Sequence, residues 1–353
     1  MHRDVIVVGQ GLAGSILAWQ LIQKGLDVAV IDDNHRGSSS RVSAGLINPI
    51  TGKRLVKSWE VDHCLPAAMQ FYCALESIFK RTLFHSKPIL RLFDNAEERA
   101  LWQKRRVQND YQHYLGSLYT ANETTPTAYR PLGGFYIHQG GYLDTTALLV
   151  AVKTHLQRQQ RLIEAPLNYT DITINQSNVS WKNISANHLV FCEGHRIREN
   201  PWFSWLPLQP AQGEILTVKT QQPLPWEIIN RGKWLLPVAA DTFKIGATFQ
   251  WKPIDGVPTE AGKHQLLEAC RSLGWRGQDD RVAEHLCGVR PGSRDKKPFI
   301  GSHPLHPRLC VFNGFGAKGS LLIPYFAALF TDYLNGLAEL PDEVDIRRFD
   351  LPE

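Results

Sequence analysis

Apolar residues along this chain fall into two textures, short unbroken runs and stripes recurring every three or four positions, and each texture predicts its own element. Val5 to Val8 is unbroken, as a strand buried on both faces of a parallel sheet requires; a half-exposed strand would alternate. Leu17, Leu21 and Ile22 then recur at helical spacing until Lys24-Gly25, which predicts a helix and its end. A second run, Val28 to Ile31, predicts the next parallel strand, and Asp32 closes it. The stripe Ala68, Tyr72, Leu75 and Phe79 predicts a helix over Leu65 to Leu83. In GGYLDTTALLVAVKTHLQRQ, Asp144 is placed to cap a further helix. His188 to Gly194, HLVFCEG, reads as another buried strand. Leu321 to Leu334, interrupted by Pro324 and Asp332, reads as a buried helix too short to span a bilayer.

Twice the texture changes. From Phe84 to about Gly140, short apolar pieces (Ile89 to Phe93, Gly134 to Ile137) flank a charged helical stretch, Ala96 to Tyr111. Near Trp202 a second excursion begins, with strand-like runs at Gly213 to Val218, Trp234 to Val238 and Thr242 to Phe249, then an amphipathic helix around Glu260 to Leu273. Leu167 to Trp181 alternates, as a small antiparallel meander does. A serine-rich connection, Arg36 to Ser43, leads into a loop punctuated by Gly45, Pro49 and Gly52. A chain of 353 residues exceeds one ordinary core. The expectation is therefore an α/β protein of two lobes. Segments 1–84, 141–199 and 287–353 make a Rossmann-like nucleotide lobe, and 85–140 with 200–286 make an inserted mixed α+β substrate lobe.

Composition narrows the classes only mildly. The chain is 43% apolar and 21% charged, an ordinary globular balance, and its net charge of +5 tolerates an acidic partner without marking a dedicated nucleic-acid binder. Cys64, Cys73, Cys192, Cys270, Cys287 and Cys310 are scattered without a C-x-x-C pair, which points away from a metal site or a disulfide framework and toward the cytoplasm. The first strand begins so close to Met1 that no signal peptide is expected, and no membrane segment is expected either.

The opening run carries the first chemistry. Gly9, Gly11 and Gly14 make G-x-G-x-x-G between strand and helix. Gly9 permits a tight turn, Gly11 lets backbone approach a pyrophosphate, and Gly14 lets helix and strand pack closely, while the helix N-terminus offers N–H groups to an anion. Asp32, about twenty positions on, is placed to accept hydrogen bonds from a ribose diol. A glycine-rich βα turn that binds nothing is the plain alternative.

Three blocks taken together resemble the D-amino-acid oxidase family of FAD enzymes. They are VIVVGQGLAGSILAWQL with Asp32, SSSRVSAGLINP, and GVRPGSRDKKPFIGSHP followed by LCVFNGFGAKGSLLIP, and they span the chain in order. The resemblance implies FAD, held non-covalently because Cys287 falls near but not on the attachment position of sarcosine oxidases. It implies a cofactor set of Gly9, Gly11, Leu12, Ala13, Gly14, Asp32, Asp33, Ser40, Arg41, Ala44, Gly45, Gly194, Gly316, Ala317, Lys318, Gly319, Ser320 and Leu321. In it, the backbone from Lys318 to Leu322 meets the charge that develops at the flavin N1–O2 edge. Within the family the chain is similar to glycine oxidases. It is also similar to the oxidase half of bifunctional enzymes acting on carboxymethylaminomethyl-uridine in tRNA, through HQGGYL, CEGHRI and FGAKG. Glycine oxidases carry an arginine where this chain has Ala317, and the methyltransferase half of the tRNA enzymes is not in this sequence, so the amine stays open.

The implied chemistry removes a hydride from the carbon beside an amine nitrogen and leaves an imine that water hydrolyses, so no acid–base pair is demanded of the protein. Arg290 matches the position that fixes a substrate carboxylate, and a planar guanidinium suits that task; an ion pair with Asp295 is its plain alternative. Lys318 either tunes the flavin and meets an anionic substrate or is a solvated turn residue. Tyr142, Trp234, Phe249 and Tyr136 are pocket candidates or simple interface aromatics. Ser40 and Arg41 face the pyrophosphate or ribityl chain, or form a polar linker. Cys192 and His195 read as structural. Two basic clusters, Lys53, Arg54 and Lys57, and Lys104, Arg105 and Arg106, are phosphate contacts if tRNA is the substrate and solvated faces if a small amine or amino acid is. A flavin-binding protein without turnover and an NAD-linked dehydrogenase remain further readings, the last of which leaves the C-terminal block without a purpose.

Overall fold

The computed structural model describes residues 1–34, 37–120, 132–275 and 280–351. Arg36, at the head of the serine-rich connection, and part of the segment 85–140 lie outside the described residues. The strand His2–Val8 owes its unbroken apolar run to its place inside a parallel sheet, between Val28–Asp32 and Ile184–Phe191. Leu162–Glu164 extends the sheet beyond Val28–Asp32. The long strand Ile184–Phe191 divides its far edge: its first residues pair antiparallel with Val179–Trp181 and its last pair parallel with Leu309–Asn313. That sharing places the C-terminal strand one position from the N-terminal one, with Ile184–Phe191 between them. Helices Leu12–Gln23, Val61–Phe79 and Gly319–Leu334 cover one face, with Leu17, Tyr72 and Phe330 buried between them and the sheet.

A second sheet has the order Arg281–Arg290, Ala211–Lys219, Thr242–Gly246, Lys233–Ala239, Ile228–Arg231, Ile89–Leu92, Gly134–Ile137, Leu115–Tyr119. Both excursions feed it. They meet where Ile228–Arg231 runs parallel to Ile89–Leu92, and the buried ion pair of Arg91 with Glu98 sits behind that seam. A third, small sheet of Leu46–Ile47, Gly141–Leu143 and Phe84–Ser86 marks where the chain crosses between the two large ones. No described helix is long and apolar enough to cross a membrane.

Several boundaries differ from expectation for local reasons. The helix expected over Leu65 to Leu83 runs Val61–Phe79, because Lys80 turns left-handed and the Glu76 carboxylate accepts the N–H groups of Leu83 and Phe84. The charged helix from Ala96 ends at Arg105, and Asn109–Tyr111 forms a separate short turn. The strand from Thr242 stops at Gly246, after which Thr248 and Gln250 donate their N–H groups back to Glu214 and Gln212.

Candidate active site

The turn after His2–Val8 is built as its glycines require. Gly9 has φ +98, and a methyl group on it would lie 2.8 Å from the Cys192 carbonyl oxygen. Gly14 is tighter, because a Cβ there would stand 1.8 Å from the Gly9 carbonyl oxygen, which locks the helix against its own turn. Asp32 sits across this turn and accepts N–H bonds from Gln10 (2.8 Å) and Asn34 (2.9 Å). Both carboxylate oxygens are thereby aimed and keep lone pairs for a diol. Helix Leu12–Gln23 has Gly11 as its N-cap, with no side-chain cap bond and no acidic residue in its first turn. Ser40 Oγ accepts the Leu12 N–H at 2.9 Å and so ties the serine-rich connection to this helix end.

A second helix N-terminus opens beside the first. Helix Gly319–Leu334 has Lys318 as N-cap, again with no side-chain cap and no acid in the first turn. A methyl group on Gly319 would lie 3.5 Å from Leu12 Cδ2, so two helix ends from opposite ends of the sequence converge. Two positive dipole ends without acidic neighbours suit a ligand with separated anionic parts. The Leu321 and Leu322 N–H groups are consumed by the Lys318 carbonyl, which leaves the turn ahead of them as the place for a ligand oxygen. Tyr72, buried and pushed above the usual phenol range by that burial, donates to the Ser320 carbonyl at 2.7 Å and fixes this helix start from behind.

Between these ends lies a cavity of about 290 Å³. Its wall holds Gly9, Gly11, Leu12, Ala13, Asp32, Asp33, Ser40, Arg41, Ala44, Gly45, Gly194, Gly316, Ala317, Gly319, Ser320, Trp234 and Arg290. Arg290 arrives at the end of strand Arg281–Arg290, paired with Ala211 of Ala211–Lys219. Its guanidinium lies over Gly213, where an added Cβ would come within 2.2 Å of it. Its protein contacts are thin, namely the carbonyls of Gln212 and Thr248 at 3.4 Å. Asp295, the alternative partner, is taken by Arg348 at 2.9 Å instead. The nearest acid along the strand, Glu214, points to the opposite face by strand alternation, where His285 (2.6 Å) and Thr259 occupy it. A second cation, Lys233, comes close enough that burial and the Arg290 charge both lower its pKa, and it donates to the Ala247 carbonyl at 2.6 Å. Burial lowers the Arg290 pKa as well. A desolvated guanidinium without a carboxylate calls for an anionic ligand.

Six expected site residues are not in the wall. Gly14 acts through packing alone. Leu321 turns its side chain into the core and spends its N–H within the helix. Lys318 stands behind the turn, its pKa lowered by burial and by neighbouring Lys296. Tyr142 is buried on the small sheet, its ring stacked on His85 at 4.6 Å. Phe249 is 55% exposed and stands outside, with its ring 5.5 Å from the Arg290 guanidinium. Tyr136 packs with Tyr119 in the second sheet, and Cys287 is likewise not in the wall.

Sequence reasoning missed Gly213, Lys233, Tyr169 and Glu193. Glu193, at the end of HLVFCEG, accepts from Tyr169 (2.8 Å) and Asn200 (2.9 Å) near Asp32 and Asp33 in the wall. Its acidic position straight after a buried strand was the available signal. Burial pushes its carboxyl up against the pull of those two bonds. A carboxyl raised in this way gives its stabilising share below its unfolded value of about 4.3 and loses it as pH rises through the folded value. The wild-type protein is therefore expected to lose melting temperature relative to Glu193→Gln between about pH 4 and pH 7. Parallel melting curves of the two proteins over that range would contradict this.

Fold and site together define a dinucleotide-dependent oxidoreductase, with a Gly-x-Gly-x-x-Gly turn at one end of the cavity and a cationic pocket at the other. The profile described as "FAD dependent oxidoreductase" (DAO) matches residues 4–333, so the chain belongs to the FAD-dependent oxidoreductases of the D-amino-acid oxidase family. A glycine oxidase of Pseudomonas putida is 23% identical over 97% of this chain and 97% of its own. The tRNA 5-methylaminomethyl-2-thiouridine biosynthesis bifunctional protein of Hahella chejuensis is 24% identical over 95% of this chain, which spans 57% of that protein's length. Among solved structures, glycine oxidase from Geobacillus kaustophilus superposes with a TM-score of 0.81 at 20% identity, covering 96% of both chains. Iminodiacetate oxidase from Chelativorans sp. BNC1 does so with a TM-score of 0.80 at 20% identity, covering 96% of this chain and 98% of that one. The residues present fit FAD: glycine Cβ atoms are missing where a pyrophosphate must approach, and two helix N-termini with no acidic residue in the first turn face one cavity.

Proposed function

We propose that this enzyme oxidises the C–N bond of a small amine that carries a carboxylate, a glycine or an N-substituted glycine. The observation that carries the reading is Arg290, a cavity-wall guanidinium whose hydrogen bonds, among the described residues, go to carbonyls at 3.4 Å and to no carboxylate. In this reading Asp32 takes the ribose diol, the N–H groups after Gly11 take the pyrophosphate, and the turn Gly316 to Ser320 meets the flavin ring. FAD, when bound, accepts the hydride from the carbon beside the amine nitrogen. Arg290 holds the carboxylate so that this carbon is presented in one orientation, and Trp234 and Ala247 narrow the space around it. The resulting imine is hydrolysed by water. We assign segments 1–84, 141–199 and 287–353 to the cofactor lobe and 85–140 with 200–286 to the substrate lobe, with the last boundary moved to follow Arg290, because strand Arg281–Arg290 belongs whole to the second sheet. A reducing, cytoplasmic setting agrees with six free cysteines, five of them buried.

A second reading places the same glycine-like amine on a modified uridine of tRNA, and the Hahella relative supports it. Anaerobic flavin bleaching by glycine, sarcosine and iminodiacetate, with methylamine as the carboxylate-free control, tests the first reading. Bleaching by the acids alone is expected. Bleaching only by tRNA bearing the modified uridine moves the assignment to the second reading, and bleaching by no amine leaves a flavin-binding protein without turnover.

A further inference from the structure

The two basic clusters, far apart in sequence, form one surface. Lys53 and Arg54 sit on the hairpin joining Ile50–Thr51 to Val56–Lys57, and Lys104, Arg105 and Arg106 end the helix Ala96–Arg105. Arg105 reaches across, donating through Nε to the Arg54 carbonyl at 3.0 Å and through its guanidinium to the Tyr111 hydroxyl at 2.7 Å. Arg106 lies over the Trp102 ring at 4.8 Å. Lys53, Arg54, Lys104 and Arg106 are exposed.

The plain account is that Lys104 and Arg105 complement the C-terminal end of their helix dipole. It covers neither Lys53 nor Arg54, and it does not explain why an arginine is spent anchoring a second cationic segment next to itself. Several cations elsewhere are paired with carboxylates, Arg3 and Arg161 with Asp27, Lys24 with Asp332, Arg196 with Asp33 and Arg231 with Asp94. Within this surface Lys57 alone has a carboxylate, Asp62, with Asp110 nearby. Among the described residues the other five cations have none. Five like charges held together without a carboxylate partner of their own are a repulsion that a polyanion relieves.

The surface is also tied to the site. Two residues beyond Lys57, Trp59 stacks on Phe326 at 5.4 Å, on the helix whose first residues Gly319 and Ser320 line the cavity. At its other end the hairpin follows Ala44, Gly45 and Leu46 of the cavity wall.

We propose that this merged ridge binds the phosphate backbone of a folded RNA, which delivers a nucleotide-borne amine to the cavity. The proposal rests on the tRNA reading above and names the surface that reading requires. Its test is binding of fluorescently labelled bulk tRNA to the flavin-loaded protein across a salt series, for wild type and for the variant Lys53→Gln, Arg54→Gln, Lys104→Gln, Arg106→Gln. Wild type is expected to bind with an affinity that falls steeply with salt. The variant is expected to bind at least roughly thirtyfold more weakly at about 50 mM salt, with the log–log salt slope reduced by roughly 3. Its bleaching by small acidic amines should stay unchanged, so failure of the ridge and failure of the amine chemistry read out separately. No tRNA binding at low salt, the same slope in both proteins, or binding to phosphatidylserine vesicles in place of tRNA overturns the proposal.

Discussion

Replacing Arg290 with Ala is expected to leave the protein folded and yellow while lowering kcat/KM for carboxylate-bearing amines by about a hundredfold or more, roughly 3 kcal/mol of transition-state binding. The reasoning is local. The guanidinium contributes little to the fold, because among the described residues its hydrogen bonds go to the carbonyls of Gln212 and Thr248 at 3.4 Å and its ring contact is with exposed Phe249, so its removal leaves little unpaired. The substrate carboxylate loses its planar donor. Arg290→Lys should recover only part of the loss, since a point charge cannot reproduce the fork that lies flat over Gly213. Stopped-flow reduction of the flavin by an acidic amine and by its methyl ester separates the effects. The ester should be nearly indifferent to the substitution, and an equal loss for both would remove Arg290 from carboxylate recognition.

The second large effect is expected at Gly14. Gly14→Ala forces a methyl group to 1.8 Å from the Gly9 carbonyl oxygen, a backbone atom that cannot swing aside. Helix and strand must separate, at a cost of about 3 kcal/mol or more, and the pyrophosphate turn is lost with them. The expected product is poorly soluble and colourless. Gly25→Ala is the control: φ is +87 there but nothing stands within 4 Å, so only backbone strain remains, about 1 kcal/mol, and the flavin should stay. Equal flavin content in the two variants, read from absorbance near about 450 nm, would contradict the close-packing argument.

The legible parts of this molecule were those where one local requirement dictates residue type. Buried parallel strands need unbroken apolar runs, and Val5–Val8 and Val28–Ile31 supply them. A turn under a pyrophosphate needs glycine, and Gly9 and Gly11 line the cavity. The second sheet was harder. Arg281–Arg290, RVAEHLCGVR, carries exposed charges along its first half because one face is open to solvent, so its pattern reads as irregular although it delivers Arg290. Ile228–Arg231 is short and gains its place only by pairing with the distant Ile89–Leu92. Side-chain direction was the least legible. Leu321 and Tyr142 belong to the right segments, yet helix and strand phase turn both into the core. The role of Gly213 depends on a guanidinium arriving from another strand, and no local pattern announces that.

The arrangement that carries the proposal is one cavity lined by the helix ends at Leu12 and Gly319, proposed to flank the cofactor, and by Arg290, proposed to face the substrate acid. A crystal structure of the yellow protein soaked with a non-oxidisable carboxylate such as glycolate tests it most directly. The pyrophosphate should lie against the N–H groups after Gly11, the flavin ring against the turn from Gly316 to Ser320, and the carboxylate on the Arg290 guanidinium within hydrogen-bond distance. FAD seated elsewhere, or a carboxylate bound away from Arg290, would contradict it.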